Sequence, residues 1–126
     1  MYRVEVTPNS DASFKAKSGD YEFTIGLKGK GSSPPDTFLA SLAGCLGVYI
    51  RKYCEGSGST LNDFSITTEA EFCQDNPVCF KDIRVSVDLK GAKLDERRRR
   101  ALLEFIKNCP IHNTLAIKPS VDIKII

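Results

Sequence analysis

From Phe38 to Ile50 the chain carries no charge, and almost every residue is apolar or small. This stretch decides more about the fold than any other. Ser33 is a candidate N-cap, Pro34 and Pro35 fill a first turn that needs no amide hydrogen, and Asp36 completes a Ser-x-x-Asp capping box. A helix is therefore expected to begin at Pro34. Apolar residues on every side (Phe38, Leu39, Leu42, Leu46, Val48, Tyr49, Ile50) predict burial all round, as a central core helix. Asp36 and Arg51 bracket too few residues for a bilayer span, which needs about 18. Ala40, Gly44 and Gly47 form a stripe nearly without side chains, against which another backbone is expected to press. Gly56 and Gly58 mark the end of the helix.

Around this helix the pattern is that of strands. Val4 and Val6 alternate with Arg3, Glu5 and Thr7 up to a turn at Pro8, and residues 13–17 form a weaker second strand. Tyr21, Phe23, Ile25 and Leu27 alternate with Glu22, Thr24 and Lys28. The glycines of residues 29–33 predict a flexible lead into the helix. Beyond it, Phe64, Ile66, Thr68, Ala70 and Phe72 share one face of a long strand, and Ile83, Val85, Val87 and Leu89 supply its hairpin partner. Phe80 is out of phase, which predicts a bulge or strand start near Lys81. Asp95 reads as the N-cap of a second helix reaching about Asn108, with an apolar stripe of Ala101, Leu102, Leu103, Phe105 and Ile106. Pro110 is suited to open a short helix to about Ala116, and Val121, Ile123 and Ile125 alternate as a last strand. The order is that of an α+β fold with helices packed on antiparallel sheet.

At 126 residues the chain is of single-domain size, so residues 1–126 are read as one domain. A net charge of +2 with mixed signs calls for neither nucleic acid nor an anionic membrane. Arg97, Arg98, Arg99 and Arg100 form a basic run, but Glu96 and Glu104 flank it and no aromatic residue interrupts it, so a solvated helix face is expected. Met1 leads straight into the first strand without a leader pattern, which predicts a cytoplasmic protein. Five cysteines, an odd number, with no secretion signal point to reduced thiols rather than a disulfide framework. Cys73 and Cys79 flank the hairpin loop and could face each other across it. With one histidine and no Cys-x-x-Cys spacing, zinc is not expected, and nothing implies a cofactor.

Cys45 sits in the middle of the uncharged helix, where position alone suits an inert, buried small residue. Late in the chain comes Cys109-Pro110-Ile111-His112-Asn113-Thr114-Leu115. That segment, together with Ser33-Pro34-Pro35-Asp36-Thr37-Phe38-Leu39-Ala40-Ser41-Leu42-Ala43-Gly44-Cys45, closely resembles the OsmC/Ohr family of thiol peroxidases. The resemblance spans nearly the whole chain in element order. It implies that Cys45 is the peroxide-attacking thiol and Cys109 the resolving one, with an acidic residue near the helix start, here Asp36. The organic hydroperoxidase branch places its glutamate one residue earlier, where this chain has Pro35. The family pattern also includes an arginine from the N-terminal strands. Between residues 7 and 31 this chain has none, only Lys15, Lys17, Lys28 and Lys30.

The resemblance further implies two interlocked chains with sites at their interface, a small-molecule peroxide as substrate and a thiol reductant. Electrostatics read from the sequence alone single out the other cysteine. Cys45 lies about 16 Å along its helix at 1.5 Å per residue, out of reach of that helix's dipole. Cys109 would cap the helix that Pro110 opens, where orphan amide hydrogens favour a thiolate. Lys15 or Lys17 could supply the positive charge an arginine would otherwise bring. His112 suggests a Cys-His pair, but a surface or helix-capping histidine fits its place better. Three functions follow: a thiol-dependent peroxidase, a redox-sensing or small-ligand-binding module on the same fold, or an RNA-associated protein using the arginine run.

Overall fold

A computed structural model describes residues 1–59, 61 and 63–126. Internal packing divides the chain into two compact units, Met1–Ala40 and Ser41–Ile126.

The first unit is an antiparallel meander of β1 (Glu5–Pro8), β2 (Phe14–Ser18) and β3 (Tyr21–Ile25). Val6 lies opposite Ala16, which lies opposite Phe23, while Phe14 sits between Pro8 and Ile25. Because side chains alternate along a strand, this register collects Val6, Phe14, Ala16, Tyr21 and Phe23 on one face. Glu5, Lys17 and Glu22 line up on the other, as do Thr7, Lys15 and Thr24. The expected half-buried face is largely open: Ala16 is buried, but Val6, Phe14, Tyr21 and Phe23 are exposed. Two or three strands bury an apolar face only against another layer.

Residues 29–33 are not the loose lead that their glycines suggested. Gly26 donates to the Ser32 carbonyl (3.0 Å) and Ser32 to that of Thr24 (3.2 Å), so the segment folds back onto β3. Gly31 has φ of 105°, and a Cβ there would stand 2.6 Å from the Thr24 carbonyl oxygen. Only glycine meets both conditions.

Helix α1 (Pro34–Ser57) starts where expected, with the Asp36 amide donating to Ser33 Oγ at 3.2 Å. The return bond from the Asp36 carboxylate to Ser33 is not formed among the described residues, so one arm of the capping box stands. Gly58, at φ of 70°, terminates the helix, while Gly56 lies inside its last turn. Burial is one-sided, a correction to the all-round burial inferred from composition. Leu42, Leu46 and Ile50, spaced by four, are buried, whereas Val48 is half exposed. Among the described residues no backbone presses on the glycines of the small-residue stripe: Gly44 faces open space, and Gly47 meets the side chains of Ile66 and Phe64.

The buried stripe of α1 packs in the second unit. Hairpin β4 (Ser65–Cys73) and β5 (Cys79–Asp88) pairs antiparallel, with Ile66 opposite Val87 and Thr68 opposite Val85. The pairing moves from Glu69↔Arg84 to Glu71↔Lys81, so β5 carries an extra residue there, and Asp82 takes φ of 54°. This bulge is why Phe80 falls out of phase. In α2 (Glu96–Ile106), Asp95 caps as predicted, accepting from the Arg98 amide at 2.8 Å. Its stripe is narrower than the sequence suggested, since Leu102 and Ile106 are buried but Ala101 and Leu103 are exposed. Leu42, Leu46, Ile50, Leu61, Leu102, Ile106 and Cys109 form the core.

Two further expectations change. α2 ends at Ile106, two residues early, where the amide of Asn108 turns back to the Phe105 carbonyl and that of Cys109 to the Ile106 carbonyl, each at 3.1 Å. The predicted last strand at Val121, Ile123 and Ile125 pairs with nothing among the described residues, and those three side chains are at least 80% exposed. A strand exists only with a partner edge, and among the described residues this chain presents none to its own C-terminal segment.

Candidate functional site

The site forms where α1 meets α3 (Pro110–Ile117) inside the second unit. Pro110 occupies the first helical position, its fixed φ suiting that place and its missing N–H costing nothing there. Cys109 is therefore the N-cap, fully buried, with its backbone carbonyl accepting the Asn113 amide at 3.0 Å. Its side chain makes no capping bond.

Cys45, partly buried on α1, reaches the same point from the other side. Burial raises its thiol above the ordinary cysteine range, and a hydrogen bond with the Cys109 side chain acts in the same direction. The Ile111 backbone amide pulls it down, as does the charge of the Lys52 ammonium. That amide belongs to the first turn of α3, where N–H groups have no intrahelical partner. The helix terminus expected to serve Cys109 thus supplies its donor to Cys45. An N–H aimed at sulfur stabilises a thiolate or a sulfenate oxygen more than a neutral thiol. The two sulfurs the sequence singled out are neighbours.

Asp36 lies in the first turn of α1, nine residues before Cys45, with an exposed side chain. Lys15 and Lys17 sit on the polar face of the N-terminal meander, Lys17 directly between Glu5 and Glu22. His112 Nδ1 faces the Lys107 carbonyl at 3.1 Å, so with the proton on that nitrogen it donates to the end of α2. It is a capping histidine, as its position suggested, with Nδ1 engaged by that carbonyl. Arg97, Arg98, Arg99 and Arg100 are all exposed, and Glu104 pairs with Lys107 at 3.2 Å rather than with Arg100.

Sequence reasoning missed a cavity of about 650 Å³ in the second unit, lined mainly by apolar side chains including Leu42, Leu46, Val87, Leu102, Ile106 and Leu115. Arg99, Lys107 and His112 also line it. Leu42 and Leu46 bracket Cys45 on α1, and His112 follows Ile111 on α3. The signal was the leucine spacing on either side of Cys45, which a core reading absorbs equally well.

The OsmC-like protein family profile matches residues 27–125. The chain belongs to the OsmC-like family. An OsmC-like protein from Mycoplasma pneumoniae has the same fold, with a TM-score of 0.80 at 21% identity over 92% of this chain and 87% of that one. An organic hydroperoxide resistance protein OsmC from Legionella pneumophila aligns at TM-score 0.63 and 22% identity, covering 98% and 95% of the two chains. One from Elizabethkingia anophelis, an organic hydroperoxide resistance protein with thiocyanate bound, gives 0.64 and 16% over 90% and 88%. No curated protein matches the sequence. At these identities the solved structures speak for the fold, which is the α+β arrangement read from the element order. Among the described residues no helix is long and apolar enough to cross a membrane.

Proposed function

We propose that this OsmC-like protein is a cytoplasmic thiol-dependent peroxidase that reduces organic hydroperoxides or hydrogen peroxide through Cys45 and Cys109. The observation that carries the reading is that Cys45 shares hydrogen bonds with the Cys109 side chain and the Ile111 amide. Cys45, as thiolate, attacks one peroxide oxygen. The S–O bond forms, the O–O bond breaks, and the departing alkoxide takes a proton to leave as alcohol, or as water from hydrogen peroxide. Cys109 then attacks the Cys45 sulfenic sulfur, releasing water and closing a disulfide that a thiol reductant opens again. The Ile111 N–H is placed to hold negative charge on the Cys45 sulfur. Asp36 is assigned to organising the site, and the apolar cavity suits the organic part of a hydroperoxide. The Legionella and Elizabethkingia structures, by their names, belong to the same line of chemistry.

In this reading residues 1–126 act as one domain and the working form is an interlocked homodimer. Support comes from the open apolar face of the meander, the bare stripe at Gly44 and Val48, and the exposed C-terminal Val121, Ile123 and Ile125. Light scattering at micromolar concentration should give twice the chain mass, and a monomer would refute the assembly. A second reading, a redox-sensing or ligand-binding module, draws on the raised Cys45 thiol and the absence of arginine between residues 7 and 31. Multiple turnover of an organic hydroperoxide with a dithiol reductant decides between them. A single oxidation per chain without turnover selects the module.

A further inference from the structure

The tip of the β4–β5 hairpin holds two cysteines that the proposed cycle does not use. Cys73 ends β4, Cys79 begins β5, and the register sets them directly opposite one another. Directly opposed residues of an antiparallel pair project to the same side, with Cβ atoms about 4.5–5.5 Å apart. A disulfide needs Cα atoms about 4.4–6.8 Å apart and Cβ atoms about 3.5–4.5 Å apart; opposed strand positions meet the first condition and come within about 1 Å of the second. The pairing continues inward with Phe72 opposite Phe80, whose rings meet edge to face at 5.6 Å, so the register does not end loosely at the cysteines. Cys79 is exposed and Cys73 partly so. In the reduced chain the Cys73 thiol donates to an Asp75 carboxylate oxygen at 3.7 Å.

We propose that Cys73 and Cys79 form a second, reversible redox couple, a cross-strand disulfide made and broken by exchange with low-molecular-weight thiols and disulfides. Exposed Cys79 is the entry point. Its thiolate attacks one sulfur of a small disulfide, that reagent's S–S bond breaks, and one thiol leaves carrying a proton. Cys73, turned from Asp75, attacks the Cys79 sulfur of the mixed disulfide and releases the second thiol. Two electrons and two protons pass from the hairpin to the small disulfide, and a dithiol reverses the exchange. Cys54 is excluded from the couple because it packs against the core from α1. This couple is independent of Cys45 and Cys109, so it stands or falls separately from the peroxidase reading.

The test uses the full chain with glutathione disulfide, followed by blocking of remaining thiols with N-ethylmaleimide and cleavage after glutamate. Cleavage at Glu71 and Glu96 isolates residues 72–96, a peptide with Cys73 and Cys79 as its only cysteines. That peptide should be unblocked and lighter by two hydrogens, and dithiothreitol before blocking should restore two maleimides. The Cys45→Ser/Cys109→Ser chain should give the same result, whatever its peroxide chemistry. Cys73→Ser should stop at one glutathione on Cys79. Two maleimides after oxidation, two separate glutathione adducts, or a link from either cysteine to Cys54 would overturn the proposal.

Discussion

Cys45 and Cys109 meet where one helix passes the start of another, whereas Cys73 and Cys79 oppose each other on a two-stranded ribbon at the surface. The first pair is embedded, with Cys109 fully buried, and the Ile111 amide at the start of α3 donates to Cys45. At the second, the polar group beside sulfur is a carboxylate acceptor on Cys73. An amide donor steadies negative charge on sulfur. Proximity of two sulfurs permits a disulfide in both places. What sets the embedded pair apart is an amide donor for the anion that peroxide chemistry generates.

The largest expected effect breaks this comparison outright if it fails. Cys45→Ser should abolish hydroperoxide consumption, while Cys73→Ser and Cys79→Ser leave it within about twofold of the native chain. Equal losses would erase the distinction between the pairs. Cys109→Ser should allow one fast oxidation and then stall, leaving a Cys45 sulfenic acid that dimedone traps. Sustained turnover without added thiol would remove Cys109 from the resolving role.

A smaller effect sharpens the electrostatic half of the comparison. Because burial and the Cys109 bond outweigh the Ile111 amide, Cys45 stays protonated to higher pH than an ordinary thiol. Its alkylation by iodoacetamide, read at Cys45 by mass spectrometry, should climb roughly tenfold per pH unit and still be rising at about pH 9. A plateau near neutrality would mean that a cation lowers the thiol after all. The sign for stability follows from the same shift: a folded thiol pKa above the unfolded one contributes stability below the unfolded value, lost as pH rises through the folded one.

Local chemistry was legible in the sequence wherever one segment sufficed to determine it. Ser33 and Asp95 cap as read, Pro34 and Pro110 open helices, and the phase slip at Phe80 does mark a bulge. Cys45 and Cys109 came from two motifs, and their meeting is tertiary geometry that spacing alone could not supply. What composition could not distinguish was burial by the chain itself from burial by something else. The uncharged run of α1 predicts a helix wet nowhere, yet Val48 and Gly44 are open. The C-terminal alternation predicts a strand, yet among the described residues no edge receives it. The direction of the α3 amide was equally invisible, because a capping position names the helix end and not the sulfur it faces.

The last and smallest effect concerns the start of α1, and it asks how far the environment of the embedded pair extends. Ser33 Oγ accepts the Asp36 amide, so Ser33→Ala should cost about 1 kcal/mol, the usual loss for an N-cap. The Asp36 carboxylate makes no return bond, and its exposed side chain acts on the helix only through the dipole. Asp36→Ala should therefore destabilise by less than Ser33→Ala, a few tenths to about 1 kcal/mol at low salt. Nine residues of helix separate Asp36 from Cys45, about 13 Å at 1.5 Å per residue, so an intrachain contact between the two side chains is out of reach. In the homodimer proposed above, the carboxylate would act on the partner's site or through the N-terminal strands. Turnover of Asp36→Ala should then fall at least tenfold while its urea midpoint falls less than that of Ser33→Ala. Native turnover in a folded Asp36→Ala chain would leave the residue a dipole partner alone, and would confine the chemistry to the junction of α1 and α3.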